Sequence, residues 1–282
     1  MKTFVADFET TTKPEDCRVW AYAICEVGNN EDVIIGTTID EFMKWCETQK
    51  DNVKVFFHNL KFDAQFIIHW LFKNGFTHVT DNRDRATKTF TTLISDMGQF
   101  YSTEIFFHVT KKHTNKVTIY DSMKILNFSV EKIAKDFRLP ISKLTLDYNA
   151  KREKGHALTE HEIDYIRNDV EIMARALEYM FNEKLLKMTI GSDALTNYKE
   201  MNKNFSRYFP ILDYNIDYDI RKSYKGGFTY LNDCYKEKTV GEGLVLDVNS
   251  LYPSMMSSES NNCYPVGLPT FWHGNYIPDE AL

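Results

Sequence analysis

Apolar and polar residues alternate from Thr3 to Glu9, which places Phe4, Ala6 and Phe8 on one face of a strand and Asp7 and Glu9 on the other. Further strand-like runs lie at Val53 to Phe57, Thr91 to Ile94, Tyr101 to Val109 and Val117 to Tyr120. Between them the period lengthens. Phe62, Phe66, Ile67, Trp70 and Leu71 keep a helical spacing up to a stop at Asn74-Gly75, and Ile163, Ile166, Val170, Met173 and Leu177 do so further on. Thr159 and Glu162 form a capping box that fixes the start of this second helix. Strands interleaved with helices over roughly the first 180 residues predict a mixed α/β layered architecture.

After Phe181 the pattern changes. Lys184 to Arg207 is polar and helix-compatible, and Pro210 to Ile220 reads as a connection, so a domain boundary is expected near residue 190. Beyond it, Tyr224-Lys225-Gly226-Gly227 reads as a turn, and Phe228 to Leu231 and Gly243 to Asp247 read as strands. Pro253, Pro265, Pro269 and Pro278 punctuate the remainder. A core begun near 221 and ended at 282 is close to the lower limit for independent folding.

Composition changes this picture little. At 43% hydrophobic and 26% charged, with 12 glycines and 7 prolines, the 282-residue chain reads as globular, without disordered or collagen-like bias. A formal net charge of -6 argues against a protein that coats nucleic acid by charge alone, and permits acids reserved for metal ions. The five cysteines, Cys17, Cys25, Cys46, Cys234 and Cys263, are scattered and form no C-x-x-C pair, so neither a disulfide framework nor a zinc knuckle is expected, and a reducing compartment fits. The apolar start is broken by Asp7, so no signal peptide is expected. No run approaches the roughly 18 apolar residues of a membrane span.

The candidate chemistry lies in carboxylates. Asp7 and Glu9 share a strand face, followed by the hydroxyls of Thr10-Thr11-Thr12; taken alone, such a pair reads first as a solvated strand edge. Asp63 begins a helix directly after a strand, where the macrodipole alone favours an acid, yet His58 and Asn59 stand at the same strand exit, the position at which α/β folds bind ligands. Tyr165 and Asp169, four apart on the capped helix, project from one face. Four acids and a phenol match the needs of two hard divalent cations acting on a phosphodiester. No Ser-His-Asp arrangement, histidine-cysteine cluster or phosphate-binding G-x-x-x-x-G-K-[ST] loop competes.

In these segments the sequence resembles a family. D-F-E-T-T at Asp7, H-N-L-K-F-D at His58 and Y-x-x-x-D at Tyr165 resemble the three motifs of DEDD 3′-to-5′ proofreading exonucleases, in the wording of the protein-primed family B DNA polymerases of small Bacillus bacteriophages. The resemblance runs through all 282 residues and takes in Lys143, Tyr120-Asp121-Ser122, the Y-x-G-G segment at Tyr224 and D-V-N-S-L-Y-P from Asp247, which matches polymerase motif A. It implies a ribonuclease H-like exonuclease domain, a mixed sheet flanked by helices, at 1–190, followed by a linker and the beginning of a polymerase palm at 191–282.

The resemblance also implies roles. Asp7, Glu9, Asp63 and Asp169 hold two Mg²⁺ or Mn²⁺ ions, Tyr165 orients the attacking water, and Lys143 meets the scissile phosphate. Thr10, His58, Asn59, Phe62, Ser122, Met123 and Tyr148 bind a single-stranded 3′ end, Met123 standing where the family usually has leucine. Tyr224, Gly226 and Gly227 help pass the strand between two active sites. Asp247 and the Val248 carbonyl hold metal in the polymerase site, while Ser250, Leu251 and Tyr252 line its nucleotide pocket. Without the family, Phe62 and Tyr148 read first as core aromatics and Lys143 as a solvated lysine, and Ser122 reads as a turn cap.

The family's K-x-x-x-S-x-Y-G and Y-x-D-T-D motifs are absent from the sequence, and with them the second polymerase carboxylate, so the chain is expected to trim single-stranded DNA ends without polymerising. The expected partners are a DNA 3′ end or primer-template and a terminal-protein primer. The expected setting is a monomer in the cytoplasm of a bacterial host, with no membrane association. Two other readings remain open at this level: a free-standing exonuclease, and a non-catalytic piece that binds single-stranded DNA or a terminal protein. Leu244, Val245, Leu246 and Leu251 are expected to be exposed apolar residues that lower solubility.

Overall fold

The computed structural model describes residues 1–13, 15–111, 113–227, 229–276 and 279. The chain divides into two compact units, Met1–Asn197 and Tyr198–Leu282. The first is built on an eight-stranded sheet. Its strands are β1 (Thr3–Thr10), β2 (Val19–Glu26), β3 (Asn29–Gly36), β4 (Val53–Phe57), β5 (Thr77–His78), β6 (Thr89–Ile94), β7 (Phe100–Val109) and β8 (Thr114–Asp121), in the order β3-β2-β1-β4-β8-β7-β6-β5. At its centre β1, β4 and β8 run parallel, while β2 and β3 on one side and β7 and β6 on the other run antiparallel.

The period-2 pattern decides which residues meet which layer. Phe4, Ala6 and Phe8 of β1 pack with Val55 and Phe57 of β4 against α1 (Ile39–Glu47) and α2 (Leu60–Lys73), through Phe42, Met43, Ala64, Ile67 and Leu71. Val5 points to the opposite layer, where it joins Phe56 and residues of α3 (Val130–Asp136) and α4 (Glu160–Asn182), among them Ile133, Tyr165, Ile166, Val170 and Met173. Asp7 and Glu9, in phase with Val5, therefore lie on the α4 side of the sheet.

All five strands and both helices expected from the pattern are present, most of them a residue or more longer. The capping box at Thr159 and Glu162 starts α4, and α2 ends at Asn74 with Gly75 at φ +79°. The hairpin β2-β3 and helix α1 lie outside those expectations. Val19 to Cys25 is buried on both faces and so shows no alternation, and the hairpin closes on Gly28 at φ +88°, which side chains resist. Helix α1 carries its own capping box, Thr38 with Glu41.

The second unit differs from the expectation. Helices α6 (Phe205–Tyr208), α7 (Tyr214–Ser223) and α8 (Leu251–Met256) follow α5 (Ile190–Met201), within which the contact boundary falls. Residues 229–231 and 243–247 form no strand; Phe228 and Pro278 lie outside the described residues. A strand exists through its ladder, and Leu244, Val245 and Leu246, at 91%, 98% and 88% exposure, have neither ladder partner nor packing face among the described residues. Among the described residues no helix is long and apolar enough to cross a membrane.

Limited trypsin digestion is expected to cut first between Lys222 and Lys238, where the lysines are exposed, and to leave a product containing the whole 1–197 unit; mass spectrometry of the early fragments reads this directly.

Candidate functional site

Because β1, β4 and β8 are parallel, their C-terminal ends open on one edge of the sheet. That edge carries Asp7, Glu9 and Thr10 from β1, His58 and Asn59 after β4, and Asp121 and Ser122 at the end of β8. Asp63 enters from the first turn of α2, and α4 crosses the same edge with Tyr165 and Asp169. A register shift between Glu9 and Thr10 re-aims Thr10 at the strand end. A cavity of about 280 Å³ lies here, lined by Asp7, His58, Lys143 and Asp169 with Val5, Val130 and Met173.

The electrostatics are those of acids crowded out of water. Glu9, Asp63 and Asp169 are buried at 7%, 3% and 4% exposure. Burial, then the neighbouring Asp169, push the Asp7 carboxyl up to about 7, and burial followed by Asp7 and Asp169 push Glu9 up to about 8. Burial and the charge of Asp7 raise Asp63 well above the carboxylate range. Burial also raises Asp169, an effect that Lys143 offsets through a 2.6 Å ion pair. The Lys143 ammonium is disfavoured by burial, yet Asp169 holds its pKa above the ordinary lysine value.

The buried oxygens Asp63 Oδ1 and Asp169 Oδ1 have no hydrogen-bond partner among the described residues. Hard carboxylate oxygens, mutually repelling and partly unpartnered, fit a divalent cation. Among the described residues, no three acidic, imidazole or thiol side chains converge closely enough to form a finished chelate.

Around the acids the other expected residues take definite places. Tyr165 is buried, and its hydroxyl meets that of Tyr148 at 2.7 Å; burial and this bond raise its pKa. Phe62 and Tyr148 are 46% and 52% exposed, so neither is a core aromatic, and Lys143 is half-buried and paired, so it is no solvated lysine. His58 lies 3.0 Å through Nδ1 from Ser122 Oγ and 2.7 Å through Nε2 from the Phe128 carbonyl. Burial lowers its pKa, so the neutral ring keeps its proton on Nε2 for Phe128, and the Ser122 hydroxyl, 3.0 Å from both Nδ1 and the Phe57 carbonyl, has one proton to share between these two acceptors. Met123 is half-buried beside Ser122. Tyr224, Gly226, Gly227, Asp247, Val248, Ser250, Leu251 and Tyr252 belong to the second unit, each exposed.

Two features escape the sequence reading. Glu162, read only as a capping residue, also receives Arg152 Nε at 2.7 Å and lies 2.8 Å from His156 Nε2; burial would raise its pKa, but the Thr159 N–H, His156 and Arg152 hold it down to about 2. Arg152 lies 4.2 Å over the Trp20 ring and donates to the carbonyls of Asp147 and Ala150, which pins the loop bearing Tyr148 to α4 and β2. A cavity of about 230 Å³, lined by Thr11, Thr12, Lys13, Trp20, Tyr148 and Arg152, lies beside that loop. The second feature is Asp121, whose carboxylate binds three backbone N–H groups. The Arg-Glu contact depends on a loop folding back and leaves no local pattern, whereas Asp121 lies in the Tyr120-Asp121-Ser122 strand exit, where the resemblance implies a role for Ser122 alone.

A mixed sheet with a parallel centre, helices on both faces and acids gathered at the strand ends is the ribonuclease H-like α/β architecture that the resemblance implied. A model of the type B DNA polymerases, organellar and viral, matches residues 45–281, and the chain belongs to that family. It is 49% identical over 282 residues to the DNA polymerase of Bacillus phage Nf, covering 99% of this chain and 48% of the relative. It is 45% identical over 281 residues to that of Bacillus phage phi29, again covering 99% and 48%. Similarity extends to the DNA polymerase of Streptococcus phage Cp-1, at 31% over 289 residues, covering 96% and 47%.

Among solved structures, phi29 DNA polymerase complexed with primer-template DNA and incoming nucleotide substrates matches with a TM-score of 0.89 at 44% identity, covering 99% of this chain and 48% of that one. The same polymerase complexed with single-stranded DNA matches at 0.84 and 43%, covering 99% and 49%. The chain thus spans about half the length of the curated relatives it matches.

Two outcomes follow from the site's charges. Without divalent metal, the folded state keeps a proton on Glu9 that the unfolded chain releases above about 4.5, so this group's contribution to stability is intact at pH 4 and falls as pH rises towards 8. The slope is at most about 1.4 kcal/mol per pH unit for one group. Urea midpoints of the wild type and Glu9→Gln in chelator, from pH 5 to 8, are expected to diverge, the variant gaining with pH; parallel curves would contradict the assignment. Arg152→Ala removes the guanidinium partner of buried Glu162, leaving it His156 and the Thr159 N–H, and is expected to cost about 1.5–3 kcal/mol by urea denaturation at pH 7.

Proposed function

We propose that the chain carries a 3′-to-5′ exonuclease that removes nucleotides from single-stranded DNA ends. The observation that carries this reading is the meeting of Asp7, Glu9, Asp63 and Asp169, each with a raised pKa, at one sheet edge. Asp7, Glu9, Asp63 and Asp169 would hold two Mg²⁺ or Mn²⁺ ions, which would supply Lewis acidity for water activation and for charge on the leaving oxygen of the phosphodiester.

The chain's own groups do the rest. Tyr165, held through its hydroxyl by Tyr148, is placed to orient the attacking water. Lys143 pairs with Asp169 and, on arrival of the substrate, meets the scissile phosphate. Exposed Phe62 and Tyr148 offer ring faces for stacking, and Thr10, Asn59, the linked His58 and Ser122, and the backbone near Met123 offer polar contacts to the terminal nucleotides. The two cavities flanking Tyr148 and Asp7 provide room for a strand without duplex partners. The similar phi29 DNA polymerase is known in complexes with single-stranded DNA and with primer-template DNA, which supports a DNA substrate.

Within this reading, residues 1–190 form the exonuclease domain, and 191–282 hold the linker and motif A segment through which Tyr224, Gly226 and Gly227 pass the strand. Asp247, the Val248 carbonyl, Ser250, Leu251 and Tyr252 serve nucleotide transfer in the family's polymerase site. The setting is the bacterial host of a phage, and a terminal protein is a further partner. One observation favours a second reading, binding of single-stranded DNA without cleavage: Lys143 already occupies Asp169.

Asp7→Ala and Asp169→Ala are expected to reduce Mg²⁺- or Mn²⁺-dependent trimming of a 3′-extended oligonucleotide to background, with thermal unfolding retained. Tyr165→Phe removes orientation rather than a metal ligand and is expected to cost less, about 10- to 100-fold. Trimming that persists in either aspartate variant sinks the exonuclease reading. Binding without trimming by the wild type supports the second.

A further inference from the structure

A helix leaves its first N–H groups without intrahelical partners, and the residue before it usually supplies the cap from its own side chain. Asparagine is among the best of these, yet Asn59, directly before α2, makes no such bond: its backbone sits in the left-handed region at φ 70° and ψ 48°, and its side chain is exposed. A conformation uncommon outside glycine persists when surrounding contacts over-determine it.

Those contacts come from β8. Phe57 pairs with Asp121 in the β4–β8 register, which brings the Asp121 carboxylate beside the corner where the chain leaves β4. Asp121 is buried at 3% exposure, and its Oδ1 accepts from the N–H of Asn59 at 3.1 Å, of Leu60 at 3.3 Å and of Met123 at 3.0 Å. A buried anion at the positive end of a 14-residue helix is favoured by the backbone dipoles as well as by these bonds. The neighbouring Ser122 and His58 make a second link across the same two strands.

We infer that Asp121 is a positioning residue: its carboxylate caps α2 from the adjacent strand in place of Asn59, leaving the Asn59 amide free and fixing the helix turn that carries Asp63, so that both face a single-stranded DNA end. The inference rests on the proposed exonuclease site and assigns a role to a residue that touches neither metal nor substrate. The same carboxylate holds the N–H groups of residues on both strand exits, so it sets the spacing between the β4 and β8 corners as well as the helix start.

The test compares the chain with Asp121→Ala, Asp121→Asn, Asn59→Ala and the Asp121→Ala/Asn59→Ala double variant. Three quantities are read: kcat and KM for trimming a single-stranded oligonucleotide, its binding in chelator by fluorescence anisotropy, and thermal unfolding. Asp121→Ala is expected to lower kcat/KM about 10- to 100-fold per folded molecule. Asp121→Asn, whose amide oxygen accepts the same bonds, is expected to stay near the wild type.

Asn59→Ala is expected to weaken binding in the wild-type background and to add nothing once Asp121 is alanine. Wild-type trimming and binding by a folded Asp121→Ala variant, or independent addition of the two effects, overturns the inference. Should Asp121→Ala not fold, Asp121→Glu decides: it keeps the charge but displaces it, so lost trimming supports the role and unchanged trimming refutes it. If the wild-type chain binds but does not trim, the exonuclease reading fails, and the binding cycle alone decides the role of Asp121.

Discussion

The parallel run of β1, β4 and β8 at the centre of the sheet is the constraint on which the site depends. Parallel strands end on the same edge, so residues far apart in sequence, near positions 9, 58 and 121, arrive together without any loop having to reach for them. The hydrophobic layers on either side hold that edge in place: α1 and α2 cover one face, and α3 and α4 cover the other. Phe4, Ala6 and Phe8 anchor β1 from beneath while Val5 anchors it from above, which leaves Asp7 and Glu9 little freedom to turn back to water.

Electrostatics then do what packing forces on them. Acids removed from water beside one another resist ionisation, and the chain offsets this only in part, through Lys143 on Asp169. The contrast with Glu162 is instructive, because that buried acid has a full set of partners in Arg152, His156 and the Thr159 N–H and stays ionised. One carboxylate is a structural tie, whereas at the site Asp63 and Asp169 each keep a buried oxygen without a partner among the described residues, which is a condition for accepting a cation. The tie serves the site indirectly, because Arg152 also fixes the loop from which Tyr148 reaches Tyr165.

The second unit follows other rules. The match to the phage polymerases covers 99% of this chain and so takes in the second unit, yet that unit gathers no buried apolar core among the described residues, and most of its apolar side chains are exposed. The D-V-N-S-L-Y-P segment is specific as a sequence, yet it joins no strand ladder among the described residues and its last three residues begin α8. A motif records the chemistry a segment takes part in, while a strand forms only where a neighbour completes its hydrogen bonds.

The local elements were legible from the chain because they depend on periods of 2 and 3.6 and on short-range chemistry: β1 with its two acids on one face, the Thr159–Glu162 box, and α2 ending at Asn74-Gly75. The acids, Tyr165 and Lys143 could be picked out because motif wording preserves residue type and order. The hairpin β2-β3 was hidden by burial on both faces, which erases alternation. Sequence by itself determined the residues available for chemistry and the face each occupies on its own element. Tertiary structure alone decided that Asp121 caps a helix from another strand, that Arg152 reaches Glu162 and that Phe62 and Tyr148 stand exposed rather than in the core, because each is set by contacts between segments whose separation along the chain carries no local signal.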